Sequence, residues 1–265
     1  MRLSGLFRYP LKSAMVERLE ASAAGALGLE GDRRWLVIDT ASGRFLTQRL
    51  LPRMTQLRAR LMPGGAIELS APGAPDLLVP VPSDDALYRG AIVWKDVLRV
   101  PDGGEAAALW LSAFLERDCR LVYMPDDCIR PVKDAHATDR VSFADGYPLL
   151  LISEGSLADL QVRVGRPLDM QRFRPNLVVS GVEPYAEDGW KRIRIGELTF
   201  RVAKPCSRCI ITTLDPFTGE RSSDREPLAT LKTYRAHEGS VYFGQNLICD
   251  GEGTLEIGMP VQVLA

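Results

Sequence analysis

The first third of the chain reads as short strands. "LSGLFRYPL" alternates apolar and polar positions and stops near Pro10, and "RRWLVID-TASG-RFLTQ" predicts a hairpin turned at Thr40, Ser42 and Gly43. Two more short strands are expected in "GGAIELSAP" and "GAIVWKDVLRV", with the Pro- and Gly-rich stretch from Pro63 to Pro82 interrupting them. Helical spacing first appears in "GGEAAALWLSAFLERD". There Asp102 stands as the expected cap, and Ala107, Trp110, Leu111, Phe114 and Leu115 share one face that reads as core. "SEGSLADLQVRVG" predicts a second helix closed by Gly165. "SSDREPLATLKTYRAHEG" predicts a third, opened by a capping box of Ser223 and Glu226 with Pro227 in the first turn.

The remaining apolar runs, "NLVVSGV", "RIRIGELTFRVA", "CIITTLD", "SVYFGQNLIC" and "TLEIGMPVQVL", are short and β-branched. Turn signals recur about every 8–12 residues, which favours a barrel or sandwich over a parallel βαβ array. The expected fold is mainly β (α+β). A boundary is expected near residue 120, where the Trp110 helix ends and the irregular "MPDDCIRPVKDAHATD" begins. This divides the chain into residues 1–122 and 123–265.

Composition narrows the function classes. A 265-residue chain with 46% hydrophobic and 25% charged residues can bury one large core or two modest ones. Net charge is −1, so no global field draws the chain to nucleic acid or membrane, and an anion site must come from local Arg and Lys clusters. No segment has signal length or approaches the ~20 apolar residues of a membrane span. The chain is therefore expected to be cytoplasmic, and its five cysteines reduced.

Two of those cysteines, Cys206 and Cys209, lie three apart in "KPCSRC". A zinc site needs about two further clustered ligands. Yet Cys119 and Cys128 are nine apart, Cys249 is alone, and His136 and His237 share no ligand spacing. A redox dithiol would sit at a helix start, whereas the run Ile210 to Thr213 prefers strand. Two packed thiols remain a plain reading. Against it stand Lys204 and Arg208 beside the pair and Pro205 and Ser207 within it, a cationic bend suited to a thiolate ligand next to an anion. Other cations cluster at element ends: Lys12 with Ser13 in "YPLKS", Arg33 and Arg34 in "GDRRW", and Arg172, Arg174 and Asn176 in "MQRFRPNL".

Taken in order, "YPLKS", "FRPNLVVSG", "KPCSRCIITTLDPFTG" and "FGQNL" resemble the MOSC family of molybdenum cofactor proteins, and within it the amidoxime-reducing components. The resemblance covers nearly the whole chain. It implies a MOSC β-barrel with a few peripheral helices, packed against an N-terminal β-rich MOSC-N region whose first strands lie on the barrel. It also implies a molybdenum held by one pyranopterin dithiolene, in the molybdopterin form, and one cysteine. That ligand is Cys209, with Cys206 left to pack or to support. Lys12, Ser13, Arg33, Asp145, Gly146, Arg174, Asn176, Ser207 and Arg208 match the family's cofactor contacts.

The activity implied is reduction of amidoximes, hydroxylamines and N-hydroxylated bases to amidines or amines, with two electrons and two protons consumed and water released. Asp215 is a candidate for proton delivery or substrate orientation, although an Asp before Pro216 also suits a turn. Gln245 and Asn246 either line the pocket or satisfy a turn. No cysteine spacing matches an iron-sulfur cluster. Electrons are therefore expected from a separate donor protein (a ferredoxin, a cytochrome b5-like protein or a flavin reductase), and no nucleic-acid or membrane partner is expected. MOSC domains also occur beside a pyridoxal-phosphate sulfurase, which nothing here resembles. A cofactor carrier or sulfur-transfer module is the competing class.

Overall fold

The computed structural model describes residues 1–265. Its main sheet contains β1 (Arg2–Arg8), β2 (Glu17–Arg18), β3 (Leu149–Ser153), β4 (Leu177–Ser180), β5 (Arg192–Ile195), β6 (Leu198–Arg208), β7 (Ala236–His237), β8 (Ser240–Asp250) and β9 (Val261–Val263). The spatial order is β9-β5-β6-β8-β3-β4-β1-β2, with β7 on β8. Only β3 and β4 run parallel, and helix α2 (Glu154–Val164) joins them, as a parallel pair requires a crossover. Gly165 ends α2 at φ 77°, as the sequence predicts, and Ser153 caps its start by accepting from Ser156 N.

The architecture is mainly β with α+β character, but the barrel is not closed. The ladders end at β9 and β2. Between Met1–Leu3 and Gly258–Val261, one bridge (Arg2 with Pro260) and three backbone bonds, Leu3 N to Met259 O (2.9 Å), Gly258 N to Leu3 O (2.8 Å) and Val261 N to Met1 O (3.3 Å), tie the two ends together without forming a ladder.

β1 is an integral member of this sheet, since Leu3 and Leu6 pair with Val179 and Leu177 of β4. Both leucines are buried in the core formed with Leu149, Leu151, Phe200 and Leu247. The rest of the N-terminal region forms smaller sheets. These are a meander of Arg58–Leu61, Ile67–Ala71 and Ala74–Val79, a hairpin of Tyr88–Val93 and Asp96–Pro101, and a pair of Trp35–Asp39 with Cys119–Tyr123. A further sheet crosses the expected boundary, because Ala21–Gly25 pairs with Gly253–Glu256.

Local expectations fail in four places. The hairpin expected at 33–48 forms only as a short turn, with one bridge between Ile38 and Phe45 and backbone bonds from Gly43 N to Asp39 O (2.9 Å), Asp39 N to Arg44 O (2.9 Å) and Leu46 N to Val37 O (2.8 Å). Its first strand pairs instead with Cys119–Tyr123, a partner too distant in sequence for a turn signal to announce. Helix α1 (Glu105–Leu115) buries the predicted face except Trp110, which is half-buried, yet Asp102 accepts from Gly104 N, before the helix begins. Helix α3 (Leu228–Tyr234) lacks the Ser223 box: Asp224 accepts from Glu226 N, while Glu226 accepts from Thr230 N. Finally, Ile210–Thr213 is a 3-10 turn, not a strand. Thr212 and Thr213 donate their hydroxyls to the carbonyls three residues back, Cys209 O (3.0 Å) and Ile210 O (2.7 Å), and this overrides β propensity.

Candidate functional site

The cleft lies where β1, β4 and β6 run out. After β1 the chain turns at Pro10 and delivers Lys12 and Ser13; before β4 it delivers Arg174 and Asn176; at the end of β6 it delivers Ser207, Arg208 and Cys209. Lys12, Ser13, Arg33, Asp145, Gly146, Arg174, Asn176, Ser207, Arg208 and Cys209 all line this one cleft. Asn246 also lines it. Gln245 does not, and donates to Asp188 Oδ1 at 2.7 Å.

Three lining residues, Ser13 (φ 67°), Arg33 (φ 49°) and Arg174 (φ 56°), sit in the left-handed region that non-glycine residues seldom adopt. Such strain gathers where surrounding contacts over-determine a functional conformation. Those contacts are visible here. Arg33 Nη1 donates to Asp32 Oδ2 (2.5 Å) and Asn176 Oδ1 (2.9 Å), and Asn176 Nδ2 donates to Phe7 O (3.1 Å). Tyr9 lies between two guanidinium groups, Arg33 at 4.3 Å and Arg174 at 4.1 Å from its ring, and donates to Pro175 O.

Burial and charge perturb these groups. Lys12 is 6% exposed, and burial pushes its amine down to about 8, against the pull of Asp145, to which it donates at 2.5 Å. Asp145 keeps 60% of its side chain exposed; desolvation in the cleft pulls its carboxyl up, but the Lys12 ammonium, its hydrogen bond and the Arg49 charge outweigh this and hold it well below its usual range. Arg174 falls to about 10 and Tyr9 rises to about 12, both chiefly through burial.

The cleft has an excess of cationic donors. Five buried side-chain polar atoms in the whole chain lack a partner, and three are guanidinium nitrogens of cleft residues: Arg172 Nε, Arg174 Nη2 and Arg208 Nε. A buried unpaired donor costs about 1–3 kcal/mol, more when charged, so these three leave the cleft walls with uncompensated cationic donors, chemistry suited to an anion.

Cys209 caps the turn Ile210–Thr213 in extended conformation and is half-buried. Nowhere in the chain do three or more His, Cys, Asp or Glu side chains gather as a metal site. Both cysteines are free. Each sulfur accepts from its own arginine: Cys206 from Arg208 Nη1 (3.0 Å), and Cys209 from Arg49 Nη2 (3.4 Å).

Asp215 lies outside the cleft lining. Its Oδ1 accepts from Phe217 N (2.9 Å) and Thr218 N (3.0 Å), while Oδ2 accepts from Arg172 Nη2 (3.2 Å). Burial raises its carboxyl, but the two backbone bonds and the Arg172 charge more than compensate, so it is a weak candidate for proton donor. It closes a turn and holds Arg172. Sequence reading missed Arg49 and the ring of Tyr9. Tyr9 sits inside the "RYPLKS" stretch, next to residues already singled out, whereas Arg49 carries no local signal.

Strained cationic loops, built jointly by the first and last parts of the chain, surround a cleft that both Cys206 and Cys209 line, an arrangement suited to an anionic ligand beside a thiol. The family follows from two model matches, a MOSC N-terminal beta barrel domain over residues 1–118 and a MOSC domain over residues 138–262. The chain belongs to the MOSC family. It is 36% identical over 280 residues to mitochondrial amidoxime-reducing component 1 of Homo sapiens, covering 98% of this chain and 82% of that protein. Mitochondrial amidoxime reducing component 2 of Bos taurus is 34% identical with the same coverage. The molybdenum cofactor sulfurase of Oryza sativa subsp. japonica is 32% identical over 99% of this chain, which spans 35% of that protein.

Proposed function

We propose that this protein is a molybdenum cofactor-dependent reductase of N-hydroxylated compounds (amidoximes, hydroxylamines and N-hydroxylated bases), using electrons from a separate donor protein. The observation that carries the reading is the set of unpartnered guanidinium nitrogens of Arg172, Arg174 and Arg208 in the cleft that Cys209 lines. A molybdenum pyranopterin fits this donor set: its phosphate needs buried cations and its soft metal needs a thiolate. Bound there, it supplies the two-electron chemistry at the N–O bond.

The residues supply the rest. Cys209 would ligate the metal. Arg174 and Arg208, with Lys12, Ser13 and Ser207, would hold the anionic and polar edges of the pterin. Arg33 and Asn176 fix the loop before β4 through their mutual bond. Asp145 and Gly146 also line the cleft, and Asp145 keeps the Lys12 ammonium in place. With Asp215 committed to Arg172, the protons come from solvent at the open side of the cleft.

Likeness to a molybdenum cofactor sulfurase over nearly the whole chain supports a second reading, a cofactor-binding module without reductase activity. One experiment separates the two. Protein from a cofactor-producing host is assayed for molybdenum and for benzamidoxime reduction with an artificial electron donor. Turnover by the molybdenum-loaded protein is expected. A loaded protein that reduces no N-hydroxylated compound supports the binding module, and a protein without molybdenum sinks both.

A further inference from the structure

The arginines of the cleft divide into two kinds. Arg33, Arg172, Arg174 and Arg208 bond backbone carbonyls of the loops that carry them or face them: Arg174 O, Leu214 O, Ala14 O and Phe173 O respectively. They brace the walls, and three of them carry the unpartnered nitrogens. Arg49 makes no such backbone bond. Its Nη2 lies 3.4 Å from Cys209 Sγ, which receives no other hydrogen bond, and the two residues are 160 positions apart.

The rest of Arg49 is held so that this contact is kept. Its guanidinium lies over the Trp94 ring at 4.9 Å and 4.0 Å from Asp145 Oδ2. Trp94, at φ 57° on the tip of the Tyr88–Pro101 hairpin, packs edge-on against Phe45 at 5.1 Å and donates from Nε1 to Asp145 Oδ1 at 3.3 Å. The backbone of Arg49 leaves a turn in which Leu50 N and Leu51 N both donate to Thr47 O. Gln48 ties that turn to Ser13 O at 2.9 Å. A planar cation is thus clamped between an indole face and a carboxylate with one edge turned to the sulfur.

Resting on the reading of Cys209 as the metal ligand, we propose that Arg49 is a positioning residue which fixes the direction of the Cys209 sulfur and, through its charge, raises the reduction potential of the metal bound there. A donor to a ligating sulfur draws electron density from it, so the sulfur donates less to the metal and the reduced state is favoured. This also gives the N-terminal region a task at the reacting centre beyond cofactor retention.

The test uses cofactor-loaded full-length protein. Wild type, Arg49→Lys and Arg49→Gln are compared by molybdenum content per chain and by a potentiometric titration followed through the molybdenum electron paramagnetic resonance signal. The potential is expected to shift negative in Arg49→Gln, with a smaller shift in Arg49→Lys, which keeps the charge but not the planar clamp. Full loading with an unchanged potential and signal in Arg49→Gln overturns the proposal, because a merely structural role would move neither.

Should Arg49→Gln fail to load, Trp94→Leu is measured. It keeps the guanidinium and frees its orientation, so the signal is expected to split into more than one species. A single wild-type signal in Trp94→Leu overturns the proposal. The underlying reading fails separately: it falls if wild type holds no molybdenum, or if Cys209→Ser holds as much as wild type.

Discussion

Cys206 and Cys209 are chemically the same side chain three residues apart, and their surroundings assign them different work. Cys206 accepts from Arg208 of its own strand; Cys209 accepts from Arg49, across the cleft. The expected division follows. Cys209→Ser loses molybdenum and activity together, while Cys206→Ser keeps most of both, measured as metal per chain and turnover per metal. Equal losses in the two variants would contradict it.

Lys12 gives a second prediction at this scale. Burial sets its native pKa at about 8, below the ordinary lysine value of 10.5, so between those limits the unfolded chain binds more protons than the native one. The contribution of Lys12 to stability therefore grows as pH rises from about 8 to 10.5. Below that window the native state carries a buried ammonium at a cost of about 3 kcal/mol. In cofactor-free protein, urea unfolding of wild type relative to Lys12→Met should show this rise, and a flat difference across the window would count against it. Lys12, Arg174 and their neighbours were legible in the sequence because cations next to proline and strand ends stand out. Arg49 was not, because its importance is created by a contact 160 residues away.

Among elements, β8 shows how a motif can be structural. Gly244 of "FGQN" lies at φ 81°, and a Cβ there would come 2.6 Å from Ile152 Cγ1 and 2.8 Å from Leu151 O of β3. Gly244→Ala is expected to lower unfolding free energy by about 2–5 kcal/mol, combining left-handed strain with overpacking. Chemical denaturation checks this, and a loss under ~1 kcal/mol would mean that β3 yields easily. The glycine therefore fixes the approach of β8 to β3, and hence the register that puts Asn246 opposite Lys204 on the cleft side and Gln245 opposite Pro205. Strands and the helices α1 and α2 were readable from period and caps, since their signals are local. The turn after Cys209 was misread because hydroxyl bonds to the preceding carbonyls outweigh the β preference of Ile and Thr.

At the scale of the molecule, the two matched regions share their sheets. β1 completes the sheet beside β4, Ala21–Gly25 pairs with Gly253–Glu256, and Leu3 and Leu6 fill the core of the C-terminal half. The boundary near residue 120 was drawn from the end of the Trp110 helix and the irregular stretch after it, but these returns were not legible, because strand pairing between chain ends leaves no local pattern. Removing the N-terminal region would expose one edge of β4, uncover that core and take away Lys12, Ser13 and Arg33 at once. Full-length protein is therefore expected to unfold in one cooperative step. Three of the four tryptophans, Trp35, Trp94 and Trp110, lie in the N-terminal region and Trp190 in the other. Denaturation followed by Trp190 fluorescence alone, in a variant with the other three replaced by phenylalanine, should coincide with loss of circular dichroism in the same variant. A fragment of residues 123–265 should show no cooperative transition. Two separated transitions, or a folded fragment, would mean that the shared strands contribute little, and that the cleft is assembled by docking two independent domains rather than by folding one.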